Sequence, residues 1–362
     1  GFVEPEDGGP MAEYDPLVNS VTLWDVAVER QIRVLGPDAE DFVNLVITRD
    51  ATTIEPMRGK YAICCNEDGG ILNDFVLLRL DEEEFWFSIA DSDVAAMQID
   101  GRLSADVMEA LVGEAVSDLP YYGLMEAEIN GSPVVVSQTG LSGEKGFEIY
   151  VRDATKNAER VWDPVLETVE SYGGEQIAPG HHRRIAAGIL SWGQDMDHET
   201  SPFQVNLGYQ VPEDKEAEYI GKTALEEQRA RIENGDYPFN LKLVGLKMGG
   251  EPITDYAPDF WLISDPETGK ECGYVTSPWW NPELETNIAL GHVPADKLDA
   301  PLDDRVYDAD LDTWFNVHLP DEYAEEPGEP VEATVAKVPF KESVHPSARE
   351  RAILNARESI DE

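Results

Sequence analysis

Apolar and polar residues alternate along residues 147–151, and the polar positions are Glu148 and Tyr150. Alternation with a period of two predicts a strand with one apolar and one polar face. Three glycines lie within residues 140–146, a spacing that suits a tight turn or a close approach of the backbone to a ligand. A carboxylate and a phenol beside such a turn could hydrogen-bond a flat heterocycle. A hairpin with a solvated polar face is the alternative interpretation.

A second hairpin is predicted around the Asn- and Gly-containing turn at residues 66–70, between strands at 60–65 and 71–80. Asp74 lies in the apolar run 71–77 of the second of these strands. Burying a charge is costly unless the charge is paired, so an inward-facing Asp74 would be a functional residue. An aspartate on the solvated face of the strand is the alternative.

Helical spacing and strand-forming runs divide the remaining chain. Strands are also predicted at 21–28, 30–34, 84–90, 123–129 and 134–138, and helices at 39–46, 103–113, 158–172 and 183–190. After about residue 238 short strands alternate with Gly- and Pro-containing turns, which predicts a small barrel or a sandwich. A polar, helical tail is predicted at 345–360.

The chain is strongly acidic, because 27 basic and 73 acidic residues give a formal net charge of −46. The acids are spread along the chain, and their mutual repulsion would destabilise the fold where salt screening is weak. We therefore expect a salt-adapted protein from a high-salt cytoplasm. The same charge argues against nucleic acid and anionic membrane partners, which need basic patches.

Cysteine is sparse, and no metal-ligand spacing of Cys or His occurs, so no metal is expected. Cys64 and Cys65 are adjacent and cannot form an easy disulfide, which fits a reducing cytoplasm. No signal peptide and no long apolar run is found, so we expect neither secretion nor a membrane span.

Several weak motifs occur in an order and spacing that are specific as a set. They are the N-E-D-G-G-I-L-N-D hairpin at 66–74, the glycine turn and strand at 140–150, R-I-A-A-G at 184–188, G-Q-D-M-D at 193–197, and Y-I-G-K-T-A-L at 219–225. Together they resemble the tetrahydrofolate-dependent aminomethyltransferase family, that of the glycine-cleavage T-protein. The resemblance extends over nearly the whole chain, from about residue 21 to residue 339.

The resemblance implies an α+β fold with two ferredoxin-like α/β units that form a folate pocket, plus a C-terminal β-barrel. Residues 1–238 would be the folate-binding catalytic region, with its second subdomain roughly at 51–115. Residues 239–339 would form the barrel, and 340–362 the polar helical tail. The implied cofactor is tetrahydrofolate.

The resemblance also implies roles for single residues. Asp74 would be catalytic, beside the reacting nitrogen of the pteridine, and Glu148 would hydrogen-bond the pterin ring. A pterin edge offers adjacent N–H donors, which a carboxylate accepts in pairs. Tyr150 and Ser92 would be further cofactor-binding residues. Arg184 would lie beside the folate, whose anionic glutamate tail suits an arginine.

The W-D-V-x-x-E-R-Q run that begins at Trp24 looks most like the dimethylsulfoniopropionate demethylase branch of the family. The predicted substrate is a small onium or N-methyl compound, held by its charge on aromatic faces such as Trp24 and Trp192. Core packing of both tryptophans is the alternative.

Other functions remain open. The first alternative is the glycine-cleavage aminomethyltransferase itself, acting on an aminomethyl-lipoyl carrier protein as partner. A folate-binding accessory protein for iron–sulfur assembly would carry a Lys-Gly-Cys-Tyr motif, which the sequence lacks. A flavin would have to come from a partner, because no G-x-G-x-x-G fingerprint occurs.

Overall fold

The computed structural model describes residues 8–26, 30–89, 96–178, 181–255, 257, 259–303, 306, 310–325 and 328–340. The chain divides into two compact units, Gly1–Ile63 with Asn73–Gly180 and Cys64–Leu72 with His181–Glu362. Ser92 and the tail predicted beyond residue 340 lie outside the described residues.

The described helices are α1 (Gly9–Ala12), α2 (Tyr14–Asn19), α3 (Ala39–Val46), α4 (Ser104–Val112), α5 (Ala154–Ser171), α6 (His181–Ala187) and α7 (Lys222–Glu233). The first ten strands are β1 (Thr22–Asp25), β2 (Arg30–Leu35), β3 (Arg58–Cys65), β4 (Ile71–Asp81), β5 (Glu84–Ile89), β6 (Ala96–Asp100), β7 (Leu124–Ile129), β8 (Ser132–Ser137), β9 (Gly146–Val151) and β10 (Glu175–Ile177). The later strands are β11 (Leu241–Met248), β12 (Trp261–Ser264), β13 (Glu271–Asn281), β14 (Thr286–Pro294), β15 (Trp314–Val317) and β16 (Val331–Ala336). None of the helices that the structure describes is both long and apolar enough to cross a membrane.

The first sheet of unit 1 has the strand order β10-β1-β6-β9-β8-β7, with a parallel β1–β10 pair and otherwise antiparallel neighbours. Helices α4 and α5 cover one face. Helix α5 contributes Val161, Val165 and Val169, whose four-residue spacing places them on one side of the helix. They bury themselves against strand residues such as Ile99 and Ile149, which fixes the side of the sheet on which the helices lie.

The opposite face of this sheet carries polar side chains in one row. In the strand register Trp24 lies opposite Gln98, Gln98 opposite Glu148, and Glu148 opposite Ser137. Side chains at paired positions of neighbouring strands project from the same face. The row therefore places a glutamine directly beside Glu148.

The second sheet has the strand order β2-β5-β4-β3, and α3 packs on β2 and β5. Leu78 of β4 and Trp86 of β5 share one buried cluster with Trp24 and Tyr150 of the first sheet. The polar face of the first sheet is thus covered by the second sheet and not by water.

Unit 2 contains a closed antiparallel barrel with the strand order β11-β14-β13-β12-β15-β16. Alternate residues such as Val244, Ile263 and Phe315 fill its interior. Between the predicted alternatives, the structure therefore selects the barrel. The prediction of an α+β fold with two ferredoxin-like units and a C-terminal β-barrel is confirmed.

Candidate functional site

Asp74 is buried near the start of β4, with 9% of its surface exposed. Its Oδ2 accepts a hydrogen bond of 2.7 Å from the phenol of Tyr61 on β3. Val76 and Leu78 continue the same side of the strand and pack in the cluster that contains Trp24 and Tyr150. Asp74 therefore faces inward, and the alternative of a solvated strand face does not hold.

Glu148 is also buried, as are all the residues of β9. Its Oε2 accepts hydrogen bonds from the Tyr150 phenol and, at 2.7 Å, from Thr139 Oγ1. Burial raises the pKa of Glu148, and the two hydrogen bonds oppose that shift because they favour the carboxylate. The alternative of a hairpin with a solvated polar face is wrong, because the second sheet covers that face.

The glycines before β9 and at its first position make room for a carboxylate of this chain. A Cβ added at Gly146 would lie 1.7 Å from Oδ1 of Asp100, and one at Gly140 would lie 2.7 Å from the same atom. Gly143 has a φ of 78°, a conformation that suits glycine. The close approach predicted for this turn is therefore an approach to Asp100.

Asp100 and Gln98 are fully buried on β6, between β1 and β9. The Gln98 amide nitrogen donates to Oδ2 of Asp100. Burial is the main cause that raises the pKa of Asp100 to about 8, against the hydrogen bonds from Ser142 and Gln98. The negative charges of Glu148 and Glu144 act in the same direction as burial. The site thus holds two buried acids whose charges influence each other.

The sequence interpretation missed Asp100, Gln98, Tyr61 and Thr139. A strand signal was present in Met97-Gln98-Ile99-Asp100, where apolar and polar residues alternate. Tyr61 and Thr139 left no such signal, because a single hydroxyl in a strand or turn is ordinary. Their roles follow only from contact with an acid.

Trp24 is completely buried in the cluster between the two sheets, and its Nε1 donates to Thr22 Oγ1 at 2.9 Å. These contacts are those of a core side chain. Trp192 of unit 2 is half-buried, and its Nε1 donates to the Ile71 carbonyl at 3.1 Å. Cation binding by either ring stays a prediction.

Arg184 lies in unit 2 at 2% exposure. Its Nη1 donates to Oδ2 of Asp195 at 2.8 Å, and its Nη2 donates to Ser277 Oγ at 2.9 Å and to Gln194 Oε1 at 3.3 Å. Oδ1 of Asp195 accepts from Thr276 Oγ1 and Ser277 Oγ, both at 2.5 Å. The guanidinium therefore ties α6 to the following turn and to β13.

The structure brings Glu148 and Tyr150 into direct contact and places Asp74 beside the cluster that Tyr150 joins. The roles predicted for Arg184 and Ser92 stay predictions. The described residues contain no cluster of three or more His, Cys, Asp or Glu that could hold a metal ion.

The family model described as the GCVT N-terminal domain matches residues 7–93 and 88–215. Dimethylsulfoniopropionate demethylase DmdA of Ruegeria pomeroyi is 31% identical over 303 residues, 76% of this chain and 79% of that protein. An aminomethyltransferase of Thermotoga sp. strain RQ2 is 29% identical over 301 residues, 76% of this chain and 78% of that protein.

A solved structure shares the fold. The glycine cleavage system aminomethyltransferase T from Bartonella henselae superposes with a TM-score of 0.74 at 22% identity, over 94% of this chain and 91% of that chain. The chain belongs to the GCVT family, which includes both the demethylase and the aminomethyltransferase named above. It is accordingly a one-carbon transferase, and its cofactor is tetrahydrofolate.

The residues on the polar face of the first sheet fit a reduced pteridine. Such a ring presents several N–H donors along one edge, which need acceptors when water is excluded. Glu148 supplies a buried carboxylate, and the amide oxygen of Gln98 has no hydrogen-bond partner among the residues that the structure describes. Both are acceptors, and they lie at paired positions of neighbouring strands.

Proposed function

We propose that this chain moves a methyl group from a small onium or N-methyl compound, of the dimethylsulfoniopropionate kind, to N5 of tetrahydrofolate. The observation that carries the transfer to N5 is the buried Asp74 carboxylate, held by the Tyr61 phenol on the inward side of β4. Burying an acid on an apolar strand costs stability. Such buried acids are concentrated at functional sites, which makes Asp74 a candidate for a functional residue. The relationship to a dimethylsulfoniopropionate demethylase supports this substrate class.

The proposed chemistry is an in-line transfer that depends mainly on position. Tetrahydrofolate, when bound, supplies the N5 nucleophile. Glu148 would accept N–H groups of the ring, and Tyr150 and Thr139 hold its carboxylate in place. Asp74 would stabilise a positive charge developing at N5 and would accept the proton released there. Tyr61 orients the Asp74 carboxylate.

A second candidate function is the aminomethyltransferase reaction of the glycine-cleavage system, with an aminomethyl-lipoyl carrier protein as partner. The relationship to the Thermotoga aminomethyltransferase favours it. The same Asp74 and Glu148 would serve it, because the folate part of the site is common to both reactions.

An assay with two donors separates the candidates. With tetrahydrofolate present, dimethylsulfoniopropionate is expected to give methyl-tetrahydrofolate and the demethylated thioether. The carrier-protein reaction would instead release ammonia from the aminomethyl-lipoyl carrier and leave dimethylsulfoniopropionate unchanged. Both products are measured by chromatography, with each donor omitted in turn as the control. Turnover of neither donor, in a preparation that binds tetrahydrofolate, would contradict both candidates.

We also propose that the protein works in a high-salt cytoplasm, on the basis of its net charge of −46. Repulsion among exposed acids is screened over about 10 Å at 0.1 M salt and about 3 Å at 1 M. The thermal midpoint is therefore expected to rise by at least about 10 °C between about 0.1 M and about 3 M KCl. Circular dichroism gives the midpoint, and sucrose in place of KCl is the control for effects other than screening. Equal midpoints at both salt concentrations would contradict the proposal.

A further inference from the structure

Gln98 is completely buried on β6, beside Glu148. Its amide nitrogen is used, because it donates to Oδ2 of Asp100. Its amide oxygen is buried as well and has no hydrogen-bond partner within the described part of the chain. The oxygen is therefore an acceptor without a donor, in the same row of side chains as Glu148.

Such an arrangement is costly, because a buried acceptor that is left unsatisfied loses its hydrogen bonds to water and gains nothing in return. A methionine or leucine would fill the position without that cost. An acceptor beside a carboxylate suits a ligand that carries several N–H groups along one edge, since each N–H then finds a separate acceptor.

Resting on the folate assignment above, we propose that Gln98 is a binding residue of the pteridine site. Its amide oxygen accepts an N–H of the heterocycle next to those that Glu148 accepts. Asp100 is the positioning residue, because it holds the amide nitrogen and so turns the oxygen toward the ligand.

The charge of Asp100 decides which end of the amide is presented. An ionised carboxylate only accepts hydrogen bonds, so it takes the Gln98 NH₂ group and leaves the oxygen available. A protonated Asp100 can donate to the amide oxygen of Gln98. The amide group then turns over and presents its NH₂ group to the ligand. The ring would meet a donor in place of an acceptor.

The groups around Asp100 favour its neutral form. Glu148 faces it from β9, with Tyr150 bound to the Glu148 carboxylate, and Glu144 contributes negative charge from the glycine turn. Thr22 of β1 donates to the Asp100 backbone carbonyl and carries no charge. With burial, these acids raise the pKa of Asp100 to about 8. Affinity for the ring is therefore expected to fall as the pH decreases through about 8, and protonation of Glu148 weakens it further in the same direction.

The first test measures tetrahydrofolate binding by anaerobic calorimetry at pH about 9, where Asp100 is ionised. Gln98→Met is expected to weaken binding about tenfold, because the ring loses one buried hydrogen bond. Gln176→Met is the matched control, since Gln176 lies exposed on β10 of the same sheet, and it should bind as the wild type does. Equal affinity of Gln98→Met and wild type would overturn the inference and leave the folate assignment intact. A wild type that binds no tetrahydrofolate would instead remove the folate assignment, and this inference with it.

The second test uses Asp100→Asn, which keeps the side-chain volume and does not titrate. The wild type should lose affinity between pH about 9 and about 7, whereas Asp100→Asn should bind with nearly constant affinity over that range. Thermal melting without ligand checks that each variant folds. A merely structural role of Asp100 would lower the melting temperature and leave the pH profile unchanged, and that result would overturn the positioning role.

Discussion

Asp74→Asn is expected to lower the rate of methyl transfer by about two to three orders of magnitude. The substitution removes the negative charge that stabilises the developing positive charge at N5, and it removes the acceptor for the released proton. Asparagine has nearly the same shape and can still accept the hydrogen bond from Tyr61, so folding should be preserved. Affinity for tetrahydrofolate should change little, because ring recognition is assigned to Glu148 and Gln98 and not to Asp74.

Single-turnover formation of methyl-tetrahydrofolate measures this effect without a contribution from product release. Asp81→Asn is the control, since Asp81 is an exposed acid at the far end of the same strand. It should transfer at the wild-type rate. Unchanged turnover in Asp74→Asn would remove the role proposed for Asp74, and an equal loss in both variants would point to overall charge instead of position.

Local pattern was sufficient to find β9 and the turn before it. Alternation along residues 147–151 predicted the strand, and the glycines predicted a close approach. The pattern could not say what covers the polar face. Alternation reports that two faces differ, and the second sheet that buries Glu148 comes from chain segments far away in sequence. The solvated hairpin was therefore a reasonable alternative that only the packing excludes.

The partners of the acids could not be predicted for a related reason. Asp100 lies beside the glycine turn because β6 pairs with β9, although the two strands are almost fifty residues apart. No strand was predicted between residues 90 and 103. The pairing of this segment with β9 could therefore not be predicted. Among 73 acids, a single Asp carries little information until its burial is known.

Arg184 illustrates the same limit in unit 2. The resemblance placed this residue beside the folate, and its position on α6 agrees with the predicted helix at 183–190. No sequence pattern pointed to Asp195 as its partner. The choice depends on the turn after α6 and on β13. The turn makes two hydrogen bonds to the pair, through Ser191 N and Gln194 Oε1, and Thr276 and Ser277 of β13 make three.

Loss of Asp195 should therefore be strongly destabilising. Asp195→Ala is expected to lower the free energy of unfolding by about 3–5 kcal/mol, because it leaves the buried Arg184 guanidinium without its counter-charge. The Ser277 hydroxyl also loses its acceptor on Asp195, whereas the Thr276 hydroxyl keeps the Leu290 carbonyl as a second acceptor. Chemical denaturation followed by tryptophan fluorescence measures the change.

The reason for that loss is testable by a double substitution. If most of the cost comes from an unpaired buried charge, Arg184→Met combined with Asp195→Leu should be more stable than Asp195→Ala alone, because neither charge of the pair is then left buried. Asp236→Ala is the control, since its ion pair with Arg231 is exposed and should contribute no measurable stability. A double variant as unstable as the sum of the single ones would show that Arg184 and Asp195 act independently. Their pairing would then not be what holds α6 to the barrel.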